Sequence, residues 1–199
     1  MDIFMPRAPS VRTVPLLLLL GTGCGGPKAP PTAGEARGAI PDLRGRTVMV
    51  LPPQSLAGVS SAVNPDAELV YALSSRGEEV LWVFPEEMEA ILRRSPSVQA
   101  RIRNLPVGFF LQAEVERIGD PLYGELRRLA ALTGAEIALL PVELRYGDGA
   151  YRIAAALLDP RTGRVYWYGI IAGNPGPPED PGALASTTDS LAQALLPWR

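Results

Sequence analysis

Residues 136–172 read EIALLPVELRYGDGAYRIAAALLDPRTGRVYWYGIIA. Three β-type runs, Glu136–Tyr146, Ala150–Leu158 and Arg164–Ala172, are separated by Gly147-Asp148-Gly149 and by Asp159-Pro160-Arg161-Thr162-Gly163. Gly, Asp and Pro are turn formers, and both breaks are too short for anything but tight connections, so the stretch predicts an antiparallel meander.

Working upstream, Asp120-Pro121 opens a helix carrying Leu122, Leu126, Leu129 and Ala130 at i, i+4, i+7 and i+8, closed by Gly134. Residues 97–118 predict a short helix and then an extended piece around Val107–Leu111. Pro85-Glu86-Glu87 starts another helix, whose Met88, Ile91 and Leu92 are expected to be buried. The run Val80–Phe84 before it reads as a strand. Further back, Asn64-Pro65-Asp66 supplies a cap, a first-turn proline and a carboxylate for a helix with Ala67, Val70 and Leu73 as its apolar stripe, ending at Gly77. Thr47–Leu51 is a continuous apolar strand stopped by Pro52-Pro53. Downstream of the meander, a Pro-rich loop over 173–182 leads to a last helix from Ala183 to Leu196.

The order is β-α-β-α-α-β-β-β-α. It predicts an α/β (α+β) domain, with a mixed sheet of about five strands and helices packed on it.

Outside that domain, predicted to span 46–199, two N-terminal segments differ in composition. Residues 24–45 are rich in Pro and Gly and read as a flexible tether, not a strand or helix, with a reach of roughly 25 Å. Residues 1–23 have the layout of an export signal: Arg7 and Arg12, the apolar run Val14–Leu20, then Gly21-Thr22-Gly23 before Cys24. The apolar run is too short to span a bilayer, which takes about 20 residues. Small residues ahead of the chain's single cysteine resemble a bacterial lipobox, which implies lipidation of Cys24 and cleavage before it. Gly25 follows Cys24, and the outer membrane is the expected destination, with the domain on its periplasmic side.

Composition narrows the chemistry. The chain has 199 residues, a net charge of −2, one Cys and no His; Lys28 is its only lysine beside eighteen arginines. Without His there is no imidazole base, no Ser–His or Cys–His pair and no His-containing metal site. No P-loop or nucleophile elbow occurs, and no global basic field draws nucleic acid. No cofactor or metal is expected. Glu78, Glu79, Glu86, Glu87 and Glu89 are the one acidic cluster, read as complementing a helix N-terminus. Arg93, Arg94, Arg101 and Arg103 form a basic cluster suited to anionic headgroups, glycan phosphates or an acidic partner. Tyr146, Tyr151, Tyr166, Trp167 and Tyr168 gather in the meander. Strict alternation points Tyr166 and Tyr168 one way and Trp167 the other, so one of the two sets is a candidate partner surface.

TVMVLPP, LAALTGAEIALLPVEL and AALLDPRTGRVYWYG, with Gly134-Ala135-Glu136 between helix and strand and the turn Asp159–Gly163, resemble periplasmic lipoproteins of the CsgG, LpoB and TolB N-terminal type over about residues 46–172. Within that group the roles are a secretion channel, activation of a peptidoglycan synthase and membership of envelope complexes. A pore needs added membrane-crossing hairpins, and only the meander is long enough, which the domain needs for its own sheet. The resemblance therefore implies a non-enzymatic lipoprotein that binds an envelope protein partner in envelope assembly or cell-wall regulation. A small-ligand, lipid or glycan-binding module is the alternative. A hydrolase working by carboxylates alone would need two facing acidic side chains in one pocket.

Overall fold

A computed structural model of the protein describes Met1, residues 28–29 and residues 31–198. Residues 2–23 of the predicted signal segment and Cys24 lie outside the described residues.

The meander forms as its punctuation requires. Strands β5 (Ile137–Gly147) and β6 (Ala150–Leu158) are joined by Asp148 and Gly149, at φ 52° and 77°. Both loop residues are left-handed, the conformation that matches a two-residue connection to the twist of the strands. Before β7 (Val165–Pro175), the Asp159 carboxylate accepts hydrogen bonds from the Arg161 N–H (2.7 Å), the Thr162 N–H (3.3 Å) and the Thr162 hydroxyl (2.7 Å). Burial pushes the Asp159 carboxyl up, but these hydrogen bonds outweigh it and hold it below its ordinary value.

Four shorter strands complete the sheet: β1 (Ala36–Gly38), β2 (Thr47–Val50), β3 (Leu56–Ala57) and β4 (Leu81–Val83). The order across it is β1-β7-β6-β5-β2-β4, with β3 paired to β5 beyond the end of β2. Strands β4, β2 and β5 run parallel, and the meander and β1 are antiparallel. Helices α1 (Pro65–Arg76) and α4 (Pro181–Leu195) pack on one face, burying Leu69, Leu73, Leu184 and Leu191 against Val48, Ile137 and Ile153. On the other face, α2 (Pro85–Arg94), α3 (Leu122–Thr133) and a 3-10 turn at Gly108–Leu111 bury Met88, Phe110, Leu126 and Leu129 against Met49, Leu140 and Ala156. The α/β class and the helices-on-mixed-sheet arrangement are as expected.

Several details differ. The sheet has seven strands rather than about five, because β1 and β3 are too short to carry a periodic signal. The piece around Val107–Leu111 is a 3-10 turn, not an extended strand, and Phe110 anchors it in the core by stacking on Tyr168 at 5.5 Å. The expected tether over 24–45 is docked for the last part of its length. Ala36–Gly38 pairs with Gly169–Trp167, and the side chain of Leu43 is fully buried. Pro and Gly content flags a poor helix or strand former, yet an edge strand needs only three residues and a partner, and one leucine suffices to anchor the chain beyond it.

Two irregularities change which way side chains point. In β5 the register shifts between Pro141 and Glu143, so Leu140 and Val142 face the α2/α3 layer while Leu144 faces the α1/α4 layer. Proline has no N–H for the ladder, and a bulge is where a central strand tolerates it. In β7 the shift falls between the Val165 and Trp167 pairings and leaves Tyr166 out of register.

Candidate functional site

The predicted aromatic surface does not form. Tyr151, Trp167 and Tyr168 are core residues. Tyr151 sits against the α1/α4 layer, where its hydroxyl donates to the Pro178 carbonyl. Tyr146 is half-buried beside it, edge-on at 5.0 Å, and donates to the Gly176 carbonyl (2.9 Å). Because of the β7 bulge, Tyr166 lies with Trp167 against the α1/α4 core, while Tyr168 joins the opposite core. That corrects the expected alternation. Tyr166 remains half-buried, with the Arg164 guanidinium 5.7 Å from its ring centre. Among the described residues the buried Tyr168 hydroxyl has no hydrogen-bond partner, and burial, then the nearby Glu143 charge, pushes its pKa up to about 12.

The predicted arginine cluster is also dispersed. Arg93 and Arg94 occupy the exposed last turn of α2, where cations complement the helix C-terminus. Arg101 borders a separate opening against α3, and its backbone N–H donates to the buried Glu125 carboxylate (3.1 Å), which Arg128 also pairs (2.8 Å). Arg103 reaches the other way, pairing with Asp66 at 2.7 Å and lying 3.7 Å from Glu89.

Arg103, Asp66 and Glu89 all line a groove of about 940 Å³ between α1 and α2. Both helices begin there, each with a proline in its first turn, after the Asn64 cap in α1 and after Phe84 in α2. The floor is apolar: Val70, Phe84 and Ala90 are half-buried, and Tyr71 stands over it 72% exposed. Beside it runs β4, the last strand of the sheet, with Leu81 59% exposed. Trp82 holds this corner together. Its indole N–H donates to the Gly77 carbonyl (2.9 Å) and its ring stacks on Phe84 at 6.0 Å; a side chain at Gly77 would collide with the indole. Glu86 and Glu87 are exposed on the rim, and among the described residues neither carboxylate has an ion-pair or hydrogen-bond partner.

Acid–base chemistry is poorly served here. A carboxyl kept protonated for use as an acid needs an apolar enclosure. Glu86 and Glu87 face solvent, and Asp66 and Glu89 share one guanidinium. Among the described residues there is no group of three His, Cys, Asp or Glu side chains placed to hold a metal, and no helix long and apolar enough to cross a membrane.

No protein-family model and no curated protein matches this chain. Solved structures do. The LpoB C-terminal domains from Salmonella enterica and Escherichia coli match at 14% and 17% identity, each with a TM-score of 0.44. The matches cover 65% and 66% of this chain, and 82% and 84% of theirs. Lipoprotein GNA1162 from Neisseria meningitidis matches at 15% identity and a TM-score of 0.40, over 66% of this chain and 81% of its own. The chain is similar to these in fold. At such identities and TM-scores the similarity says nothing of site or role. LpoB, one of the types the sequence resembles, is among these matches.

The groove was missed in the sequence for a traceable reason. The expected α1 stripe, Ala67, Val70 and Leu73, mixes two faces. The core takes Leu69, Ala72 and Leu73, whereas Ala67, Val70 and Tyr71 line the groove. Six of the seven residues from Ala67 to Leu73 are apolar. A helix that is apolar on more than one side has more to bury than a single sheet face can cover, and that was the available signal.

Proposed function

We propose that this chain is a non-enzymatic lipoprotein of the outer membrane, anchored on its periplasmic face through lipidated Cys24, that binds an envelope protein partner through the α1/α2 groove. The observation that carries the binding half is the exposure of Tyr71 over an apolar floor, with Leu81 also exposed on the neighbouring strand β4. Tyrosine gives large, rigid contact area at low entropic cost, and exposed apolar patches of this kind mark interaction sites. The anchoring half rests on the signal pattern ending at Cys24. A ligand-binding module is less well supported, because the groove is open along its length and does not enclose a small molecule.

A photo-crosslinking residue placed at Tyr71 in cells tests the binding surface, with the same residue at the exposed Gln193 on α4 as control. A discrete adduct with an envelope protein from position 71 and none from 193 is expected; equal yields from both positions, or none from 71, would sink the reading. For the anchor, Cys24→Ala is expected to abolish lipid labelling and membrane retention.

A further inference from the structure

We infer that the partner segment seated in the α1/α2 groove is basic: an apolar side chain on the groove floor, flanked by Lys or Arg. This rests on the reading of the groove as the binding surface and adds the chemistry of what fills it.

Asp66, Glu86, Glu87 and Glu89 line the groove against the single guanidinium of Arg103, a net charge of −3. Two helix N-termini offset about one elementary charge of that, which leaves the groove negative. Asp66 and Glu89 are occupied with Arg103, so Glu86 and Glu87 are the carboxylates available to an incoming cation. The apolar floor between them and Tyr71 accepts a side chain without charge.

The sign selects among occupants. An anionic lipid surface or a nucleic acid meets like charge here, and so does a second copy presenting the same groove. A Lys/Arg-bearing segment of another protein meets opposite charge. Exposed pairs contribute little affinity each, but they steer encounter and suppress wrong partners, so the interaction is expected to depend on salt. Topology agrees. The described N-terminal residues lie at the other edge of the sheet, where Arg37 pairs with Glu114 at 2.7 Å and Lys28 lies 3.8 Å from the same carboxylate. Five strand spacings separate β1 from β4, about 24 Å, so a chain anchored upstream of Lys28 leaves the groove clear of its own tether.

The test uses the full-length protein in detergent micelles and two labelled synthetic peptides, Arg-Leu-Arg-Trp-Arg-Leu and Glu-Leu-Glu-Trp-Glu-Leu. Fluorescence anisotropy follows binding at about 50 and about 500 mM salt. The arginine peptide is expected to bind at least about tenfold more tightly than the glutamate peptide at low salt, with the gap narrowing at high salt. The double variants Glu86→Gln/Glu87→Gln and Glu86→Lys/Glu87→Lys are expected to erase and then reverse that preference, while Tyr71→Ala weakens binding at both salt concentrations. Equal binding of the two peptides, or an arginine preference that survives both double variants, overturns the inference. If position 71 crosslinks a partner in cells while the peptides show no preference, the basic segment is wrong and the binding surface stands. Crosslinking only to a second copy of the chain also overturns the inference. Absence of any adduct from position 71 removes the surface itself.

Discussion

At the β7 edge of the sheet, ladder positions from Gly163 to Ile170 meet two other stretches of chain; at the β4 edge, the last strand is three residues long and no described strand lies on its outer side. On the β7 side, Ile118 donates to the Gly163 carbonyl and Val165 to Glu116, then Ala39 donates to Tyr166 and β1 takes over the pairing, which ends with Gly34 donating to Ile170. The gap where the two covering segments part holds a small cavity of about 480 Å³ beside Tyr166. On the β4 side, the Trp82 N–H turns back onto the Val80 carbonyl at 3.1 Å. A short edge whose amide is already engaged resists strand addition. What it still offers is side chains, Leu81 and Tyr71. One edge is thus closed by backbone pairing and core burial, and the other is left as a contact surface.

The largest test of this contrast compares an apolar side chain at each edge. Ile118→Ala, on a covering segment, is expected to cost about 3 kcal/mol, since it empties a buried site. Leu81→Ala, on the open edge, should stay within about 0.5 kcal/mol. Urea unfolding of both variants measures the difference, and equal losses would erase the distinction between the edges.

A second test strips the cover more locally. Gly38 has φ 85°, and a Cβ there would overlap the Tyr166 carbonyl oxygen. Gly38→Ala is expected to cost about 2 kcal/mol through left-handed strain and lost pairing. Hydrogen exchange should then quicken at the amides of Gly34, Ala39 and Ile170 while the β5–β6 ladder keeps its protection. Quickening throughout the sheet would mean that β1 is integral to the domain rather than a cover.

The turn feeding β7 gives a smaller, pH-dependent effect. Asp159→Ala is expected to lose about 1 kcal/mol at neutral pH with the hydrogen bonds to Thr162 and Arg161. Because the folded carboxyl titrates below its ordinary 3.8, its ionised form contributes stability above that pH. The contribution fades as pH falls below 3.8 and through the lowered folded value, so wild type and variant should converge in acid. A gap that persists unchanged there would assign the effect to something other than the carboxylate.

Tyr168→Phe should change least at neutral pH, by about 1 kcal/mol or less and in the stabilising direction, because the hydroxyl it removes is buried and, among the described residues, unpartnered. The sign at high pH is definite. The folded phenol is raised from 10 to about 12, so its contribution is complete below pH 10 and is lost as pH rises through 12. The variant should lack that alkaline loss in pH-dependent unfolding. If it instead unfolds more readily at neutral pH, the hydroxyl has a partner.

Much of this molecule was legible one segment at a time. The Asn64 cap, the Leu122–Ala130 stripe, the Asp148-Gly149 hairpin and the Asp159–Gly163 turn each depend on dihedral preferences and hydrogen bonds among a few neighbouring residues, so the sequence alone determined them. The same holds for the chemistry that a chain without histidine and with one cysteine does not perform by imidazole or disulfide.

The tertiary structure decided what depends on residues far apart in the chain. Bulges at Pro141–Glu143 and at Tyr166 reset which face each following side chain meets, so the alternation that predicted an aromatic surface instead buried Tyr151, Trp167 and Tyr168. Docking of Ala36–Gly38 turned part of an expected tether into a strand, and the position of β4 at the rim left Tyr71, Leu81 and the Glu86–Glu87 pair uncovered. Local sequence sets what an element is. Which of its faces stays in water is set by the neighbours that long-range pairing brings to it.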